Sequence, residues 1–327
     1  VFKVSQSKVK TWRKCRQAYH QKYVEGLRRK KPSRPLKFGT LAHAILESQA
    51  KKKDWEETLD AIAQREAKAL ADGREEYGNI VEDLRVIMRE YFDYNARDKL
   101  TYIPVKKVLA EHLFEVPLVD GILFKGKIDG FAKTGNGLSW LVEHKSFSRM
   151  PSEDHRWRNL QSASYLWVAE KHMGVRLDGT LWDYIYSKPP TVPALLKSGD
   201  TSISQIDTLP SVVKATLKER GQLKDPKYAS LIKNATESRK KWFQRIHTRK
   251  RKEVTTAVMD DFIETAKEMQ ALHGKSQSRT IDRHCDWCEY EPLCRAMLQG
   301  LDVNFIKKTE YYHEENEFDY HESQTEE

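Results

Sequence analysis

The sequence predicts an α/β fold in which helices flank a mixed sheet, and three observations carry that expectation. The first hundred residues show helical apolar spacing, the period changes to two after residue 105, and a helical segment with one more buried strand follows.

Taken in order, residues 5–27 put Val9, Trp12, Ala18, Tyr19 and Tyr23 on helical spacing, with Ser5 or Ser7 as the cap. A basic, proline-containing link leads to a second helix at 39–50, whose apolar side carries Leu41, Ile45 and Leu46. Residues 55–70 and 80–100 read as further helices, separated by the breaks at Asp72-Gly73 and Gly78-Asn79. Strands are expected at 108–116, 122–132 and 138–146, the last two joined as a hairpin through Thr134-Gly135-Asn136-Gly137. Residues 159–173 return to helix, and 180–186 reads as a buried strand. The Ser-, Thr- and Pro-rich stretch 189–209 leaves the core, and 212–272 reads as long basic helices. Four regions are expected: helices and core at 1–188, a basic helical insertion at 189–275, a cysteine region closing the core at 276–308, and an acidic, disordered tail at 309–327. No internal repeat is visible.

At 327 residues and 39% hydrophobic, the chain can bury a sizeable core. No apolar run approaches the roughly 18–20 residues needed to cross a bilayer, and the first residues lack an apolar signal core, so the reading is cytoplasmic, with no membrane partner. The net charge is +9, yet residues 309–327 hold eight acidic side chains and no Lys or Arg, so the remainder carries about +17. Such an excess favours a polyanionic partner. It concentrates at 28–37 and 239–252, and charge by itself does not separate nucleic acid from solvent.

Alternate residues of a strand share a face, so Glu143 and Lys145 point the same way, with Asp129 on the preceding strand. Metal-assisted phosphodiester cleavage needs hard oxygen ligands for Mg²⁺ or Mn²⁺ and a cation near the attacking water or the phosphate. Two carboxylates and a lysine supply those parts. A plain two-residue turn would pair Asp129 with Val142, on the wrong face, so this reading requires an odd-length loop or a bulge.

The four cysteines are Cys15, Cys285, Cys288 and Cys294, and their spacing in a reducing compartment favours one four-thiolate site over disulfides. Zinc and a cubane iron–sulfur cluster both accept that ligand set.

Gly39-Thr40-Leu41-Ala42-His43, Ile128-Asp129-Gly130, Glu143-His144-Lys145 and Gln161-Ser162-Ala163-Ser164-Tyr165 occur in that order. In this the chain resembles the PD-(D/E)XK nuclease superfamily, and specifically its RecB-like, AddB-like branch with an iron–sulfur cluster, as in CRISPR-associated exonucleases. The usual Pro before the aspartate is replaced by Ile128. The resemblance implies that His43, Asp129, Glu143 and the backbone carbonyl of His144 bind the metal. Lys145 would orient the water, and Gln161 and Tyr165, one turn apart, would line the DNA groove. It also favours a 4Fe-4S cluster over zinc as the occupant of the cysteine site, which would staple distant parts of the chain.

These implications point to a metal-dependent deoxyribonuclease that acts from DNA ends, on single strands, in recombination, repair or phage DNA metabolism. Two rivals stand beside it: a structure-specific, flap-type endonuclease, and a non-catalytic DNA-end-binding protein. No Gly-x4-Gly-Lys-Ser/Thr phosphate loop occurs, so the expected role is a stand-alone exonuclease without ATP-driven unwinding. In the basic segment, Lys240, Lys241, Arg245 and Arg249 are expected to grip phosphates, with Trp242 and Phe243 either stacking on bases or packing inward. Glu47 reads as an exposed helix charge, with support of the metal's water shell as the alternative. The acidic tail, with its tyrosines, is a candidate dock for a recombination partner.

Overall fold

A computed structural model of the chain describes residues 1–98, 100–275 and 278–314. Strand β1 (Phe2–Val4) leads into α1 (Gln6–Lys14), capped by Ser5, whose hydroxyl accepts the Lys8 N–H. The expected single helix at 5–27 is broken at Cys15, which takes an extended conformation before α2 (Arg16–Tyr19) and a π-helical turn at His20–Val24. After β2 (Leu27–Arg29) come α3 (Arg34–Ala50), α4 (Trp55–Arg65), α5 (Ala67–Asp72), α6 (Arg74–Tyr77) and α7 (Ile80–Tyr94). Then β3 (Thr101–Tyr102), β4 (Ala110–Val119), β5 (Ile122–Lys133) and β6 (Ser139–Phe147) form the strand-rich middle. Helices α8 (Glu153–Trp157) and α9 (Leu160–His172) precede β7 (Gly179–Tyr186), and α10 (Pro210–Glu219) and α11 (Ala229–Trp242) follow it.

The basic segment departs from the helical expectation. Residues Phe243–Arg249 form β8, antiparallel to β7. Alternation of Phe243, Arg245 and His247 with Gln244, Ile246 and Thr248 suits a strand once β7 offers a ladder for its backbone groups. Helix α12 (Lys252–Leu272), a 3₁₀ turn at Arg283–Trp287, α13 (Glu291–Leu298), α14 (Val303–Glu310) and β9 (Tyr311–His313) complete the description. Residues 309–313, expected in a disordered tail, are thus helix end and strand, while the rest of that acidic segment, 315–327, lies outside the described residues.

The chain folds as two compact units. One comprises Val1–Pro32, Leu113–Gly126 and the described part of Thr256–Glu327. In it β1 runs parallel to the start of β5, with Phe2 opposite Ile122, and β2 pairs antiparallel with β9, with Leu27 opposite His313. Phe124 packs on Phe262 of α12, and Leu27, Tyr290, Leu293 and Tyr311 form a separate core against which Cys288 lies.

The other unit comprises Ser33–His112 and Lys127–Thr255. Its strands run in the order β3, β5, β6, β7, β8. The β5–β6 and β7–β8 pairs are antiparallel and the β6–β7 pair parallel, so the sheet is mixed. Phe38, Leu41 and Ile45 of α3 and Leu84, Ile87 and Met88 of α7 share a core with Ile185 of β7 and with Trp242 and Phe243. The parallel step from β6 to β7 needs a crossover, which α9 provides. Among the described residues, no helix is long and apolar enough to cross a membrane.

Candidate metal centre and active site

The loop between β5 and β6 decides which side chains meet. The ladder runs from Lys133↔Ser139 to Gly130↔Val142, and Thr134 N–H donates to Leu138 O at 3.0 Å, leaving three residues in the turn. Gly137 takes a positive φ of 81°, and Asn136 Oδ1 accepts from the Thr134 hydroxyl at 2.7 Å and the Leu138 N–H at 3.3 Å. The turn is therefore odd in length. Continuing its register one residue past Gly130↔Val142 puts Asp129 across from Glu143, on one face. At that point Asp129 Oδ2 accepts the His144 N–H at 2.8 Å.

Around Asp129 the unit assembles an acidic site. His43 Nδ1, from α3, is 3.7 Å from Asp129 Oδ1 and 4.0 Å from Glu111 Oε1 at the start of β4. Ligand atoms of His43, Glu111 and Asp129 all lie within 4.8 Å of one another. Glu111 has φ of 59°, a left-handed conformation that costs a non-glycine residue about 1–3 kcal/mol and must be held by its surroundings. Lys127 forms a close ion pair with it. Burial alone would raise the Glu111 pKa, but the nearby His43 imidazole and the Lys127 charge outweigh it and bring the carboxyl down to about 2. Burial also works against charge on His43, yet Asp129 and Glu111 raise its pKa above the ordinary value.

Glu143 is fully buried, and burial pushes its pKa up to about 7 against the pull of Lys145. Lys145 Nζ sits 2.8 Å from Glu143 Oε2 and donates to Gln161 Oε1 at 3.1 Å. Gln161 is held in the first turn of α9, where Asn159 Oδ1 accepts its N–H at 3.0 Å. Tyr165, on the same helix, is buried, and burial followed by the charges of Glu143 and Asp129 raises its pKa. Glu143 Oε1 is buried and, among the described residues, accepts no hydrogen bond. The carboxylates of Glu111 and Asp129 and the His43 imidazole are a donor set that fits a hard divalent cation, and the orphaned Glu143 oxygen lies outside that close group but within reach of the Asp129 and His43 charges.

The structure thus brings His43, Asp129, Glu143, Lys145, Gln161 and Tyr165 into one unit, and adds Glu111. Sequence reasoning passed over Glu111 because a charge at a strand start is ordinary. No local signal set it apart, because burial alternates regularly from Ala110 to Phe114 with Glu111 half-buried between two buried neighbours. Glu47 pairs with Lys51 one turn on, as an exposed helix charge does.

The basic positions divide. Lys240 and Lys241 are exposed at the end of α11, and the exposed Arg249 lies with its guanidinium 5.3 Å from the Trp140 ring. Arg245 instead turns inward: its Nε donates to the buried Asp183 at 3.3 Å and its Nη2 to Tyr91 Oη at 3.1 Å. This corrects its expected role as a phosphate grip, since β8 alternation aims it at a buried carboxylate. Trp242 and Phe243 pack inward as well, 2% and 3% exposed.

In the other unit all four cysteines are free and half-buried. Burial raises the Cys288 pKa, and Cys15 and Cys285 add to that rise. Among the described residues, the cysteine sulfurs are not gathered as closely as the ligand atoms around Asp129.

A mixed sheet flanked by helices, carrying a candidate acidic metal site beside a lysine, is the layout expected of a metal-dependent nuclease. Residues 3–295 match the family model of the PD-(D/E)XK nuclease superfamily, and the chain belongs to that superfamily. Among solved structures it is similar to one titled "Crystal structure of SSO0001", at 13% identity and a TM-score of 0.32, with 90% of this chain and 86% of that chain covered. No curated protein matches it.

Proposed function

We propose that the protein is a Mg²⁺- or Mn²⁺-dependent exonuclease that hydrolyses DNA from free ends, with single-stranded DNA as the preferred form, in recombination, repair or phage DNA metabolism. One observation carries the chemistry: the β5–β6 ladder ends at Gly130↔Val142 after an odd turn, a register that, continued by one residue, sets Asp129 across from Glu143, with Lys145 beside Glu143. In this reading His43, Glu111, Asp129, Glu143 and the His144 carbonyl hold the metal, which supplies Lewis acidity and an activated water when bound. Lys145, held between Glu143 and Gln161, orients the water and balances charge developing on the phosphate. Gln161 keeps the Lys145 ammonium in place, and Tyr165 closes the buried side of the site. Lys240, Lys241 and Arg249 are the phosphate contacts of this reading, supported by their exposure.

The same proposal assigns Cys15, Cys285, Cys288 and Cys294 to a structural 4Fe-4S cluster, with zinc as the alternative occupant. Support comes from the spacing of the four thiols and from the electrostatic coupling of Cys288 to Cys15 and Cys285.

The test is digestion of end-labelled linear, end-blocked and circular DNA with Mg²⁺ or Mn²⁺, comparing the wild type with Lys145→Ala. Release of labelled ends by the wild type alone is the expected result. Equal cleavage by both proteins removes the mechanism, and cleavage of closed circles replaces the exonuclease with a flap-type or other endonuclease. Binding of ends without cleavage by either protein leaves a non-catalytic end-binding protein.

A further inference from the structure

Side chains alternate along β6, so His144 points away from the face that carries Glu143 and Lys145. There it stands opposite Asp183 across the parallel β6–β7 ladder, and Asp183 stands opposite Arg245 across β7–β8. Asp183 is 1% exposed and surrounded by polar groups. The Tyr91 hydroxyl donates to its Oδ2, Arg245 Nε donates to its Oδ1 at 3.3 Å, and Arg245 Nη2 donates to Tyr91 Oη at 3.1 Å. His144 Nδ1 approaches Asp183 Oδ2 to 3.0 Å, without the alignment of a hydrogen bond. On the other side of the ring, His144 Nε2 is 3.1 Å from the Tyr102 hydroxyl. The Tyr102 ring reaches this place over Gly130, where an added Cβ would come within 2.7 Å of its Cε1. The glycine beside Asp129 therefore makes room for the tyrosine that flanks His144.

Apolar side chains would hold adjacent strands together without burying a carboxylate, so the Asp183 cluster asks for a reason beyond cohesion. The His144 peptide supplies one. Its ring is gripped from two sides by Asp183 and Tyr102, and its N–H holds Asp129 Oδ2 at 2.8 Å on the edge of the metal site. Ring and peptide belong to one residue, so fixing the ring restricts rotation of the peptide that aims Asp129.

We infer that Asp183 is a positioning residue for the metal centre: through the His144 ring it sets the His144 peptide, and through that peptide the Asp129 carboxylate. The inference rests on Asp129 being a metal ligand, as proposed above.

The experiment measures Mn²⁺ binding to the full chain without nucleic acid, by the electron paramagnetic resonance signal of free Mn²⁺. Wild type, Asp129→Ala, Asp183→Asn and Tyr102→Phe are compared, with circular dichroism as the check on folding. Asp183→Asn is expected to weaken Mn²⁺ binding by about 10-fold. The Mn²⁺ needed for half-maximal cleavage rises in step, while KM for an oligonucleotide at saturating Mn²⁺ stays unchanged. Tyr102→Phe, which removes only the hydroxyl against His144 Nε2, shifts Mn²⁺ binding the same way and carries the test alone if Asp183→Asn does not fold. Folded variants that bind Mn²⁺ like the wild type overturn the inference. If the wild type binds Mn²⁺ no better than Asp129→Ala, the assignment of Asp129 as a ligand is what has failed, and the inference falls with it.

Discussion

Asp129 Oδ2 accepts the backbone N–H of His144 at 2.8 Å, so the carboxylate at the end of the β5–β6 ladder is tied to the strand that carries Glu143 and Lys145. This bond gives Asp129 a structural duty separate from its chemical one.

The two duties separate by substitution. Asp129→Asn keeps an acceptor for the His144 N–H and leaves stability nearly unchanged, whereas Asp129→Ala strands a buried donor and costs about 1–3 kcal/mol. Both variants lose cleavage. Urea unfolding beside a cleavage assay checks the pair, and equal stability of Asn and Ala variants would count against the hydrogen bond.

Loop parity is the second prediction. Deleting Asn136 makes the turn even and shifts the register by one residue, which turns Asp129 away from Glu143. Cleavage is expected to drop by at least the order of 10²-fold with secondary structure retained by circular dichroism. Deleting two loop residues restores parity and is expected to recover part of the activity.

Glu111 carries the third. Glu111→Gln keeps shape and removes the charge from the His43 and Asp129 group, so half-maximal cleavage should require about 10-fold more metal. A metal titration reads this directly, and an unchanged midpoint would reduce Glu111 to a partner of Lys127.

The fourth concerns pH. Burial by itself would raise the pKa of Asp183, but His144, Arg245 and Tyr91 outweigh it and hold the carboxyl down to about 2, below the roughly 3.9 of an unfolded chain. The folded state therefore binds fewer protons than the unfolded state between those values. The stabilisation, roughly 2–3 kcal/mol, is complete above about pH 4 and lost as pH falls towards 2. Asp183→Asn should be less stable than wild type at pH 6, with the gap closing below pH 4 in denaturant titrations.

The fifth tests the cysteines. Protein purified without oxygen should be brown from thiolate-to-iron absorption, and Cys15→Ala should lose both the colour and thermal stability before it loses metal-dependent cleavage at low temperature. Colourless wild type with bound zinc would select the other occupant.

Much of the fold was legible because period-two alternation and glycine-rich turns are local signals. Strands β4 to β7 and helix α9 lie within a few residues of their expected bounds. The stretch 243–249 was not, since its basic composition suits a helix surface equally well and only the open edge of β7 makes it a strand. Arg245 followed the same error: it is read as a free cation until Asp183 is known to face it.

By itself, then, the sequence determined the α/β class, the placing of Glu143 and Lys145 on one strand face, and the condition that the hairpin at Thr134 to Gly137 be odd in length or bulged if Asp129 is to share that face, because these follow from backbone periodicity alone. Tertiary structure decided the rest of the centre. Glu111 in a left-handed conformation, His43 reaching Asp129 from α3, and the grip of Asp183 on His144 depend on contacts between segments far apart in the chain. No local rule encodes those contacts; the packing of strands and helices brings them together.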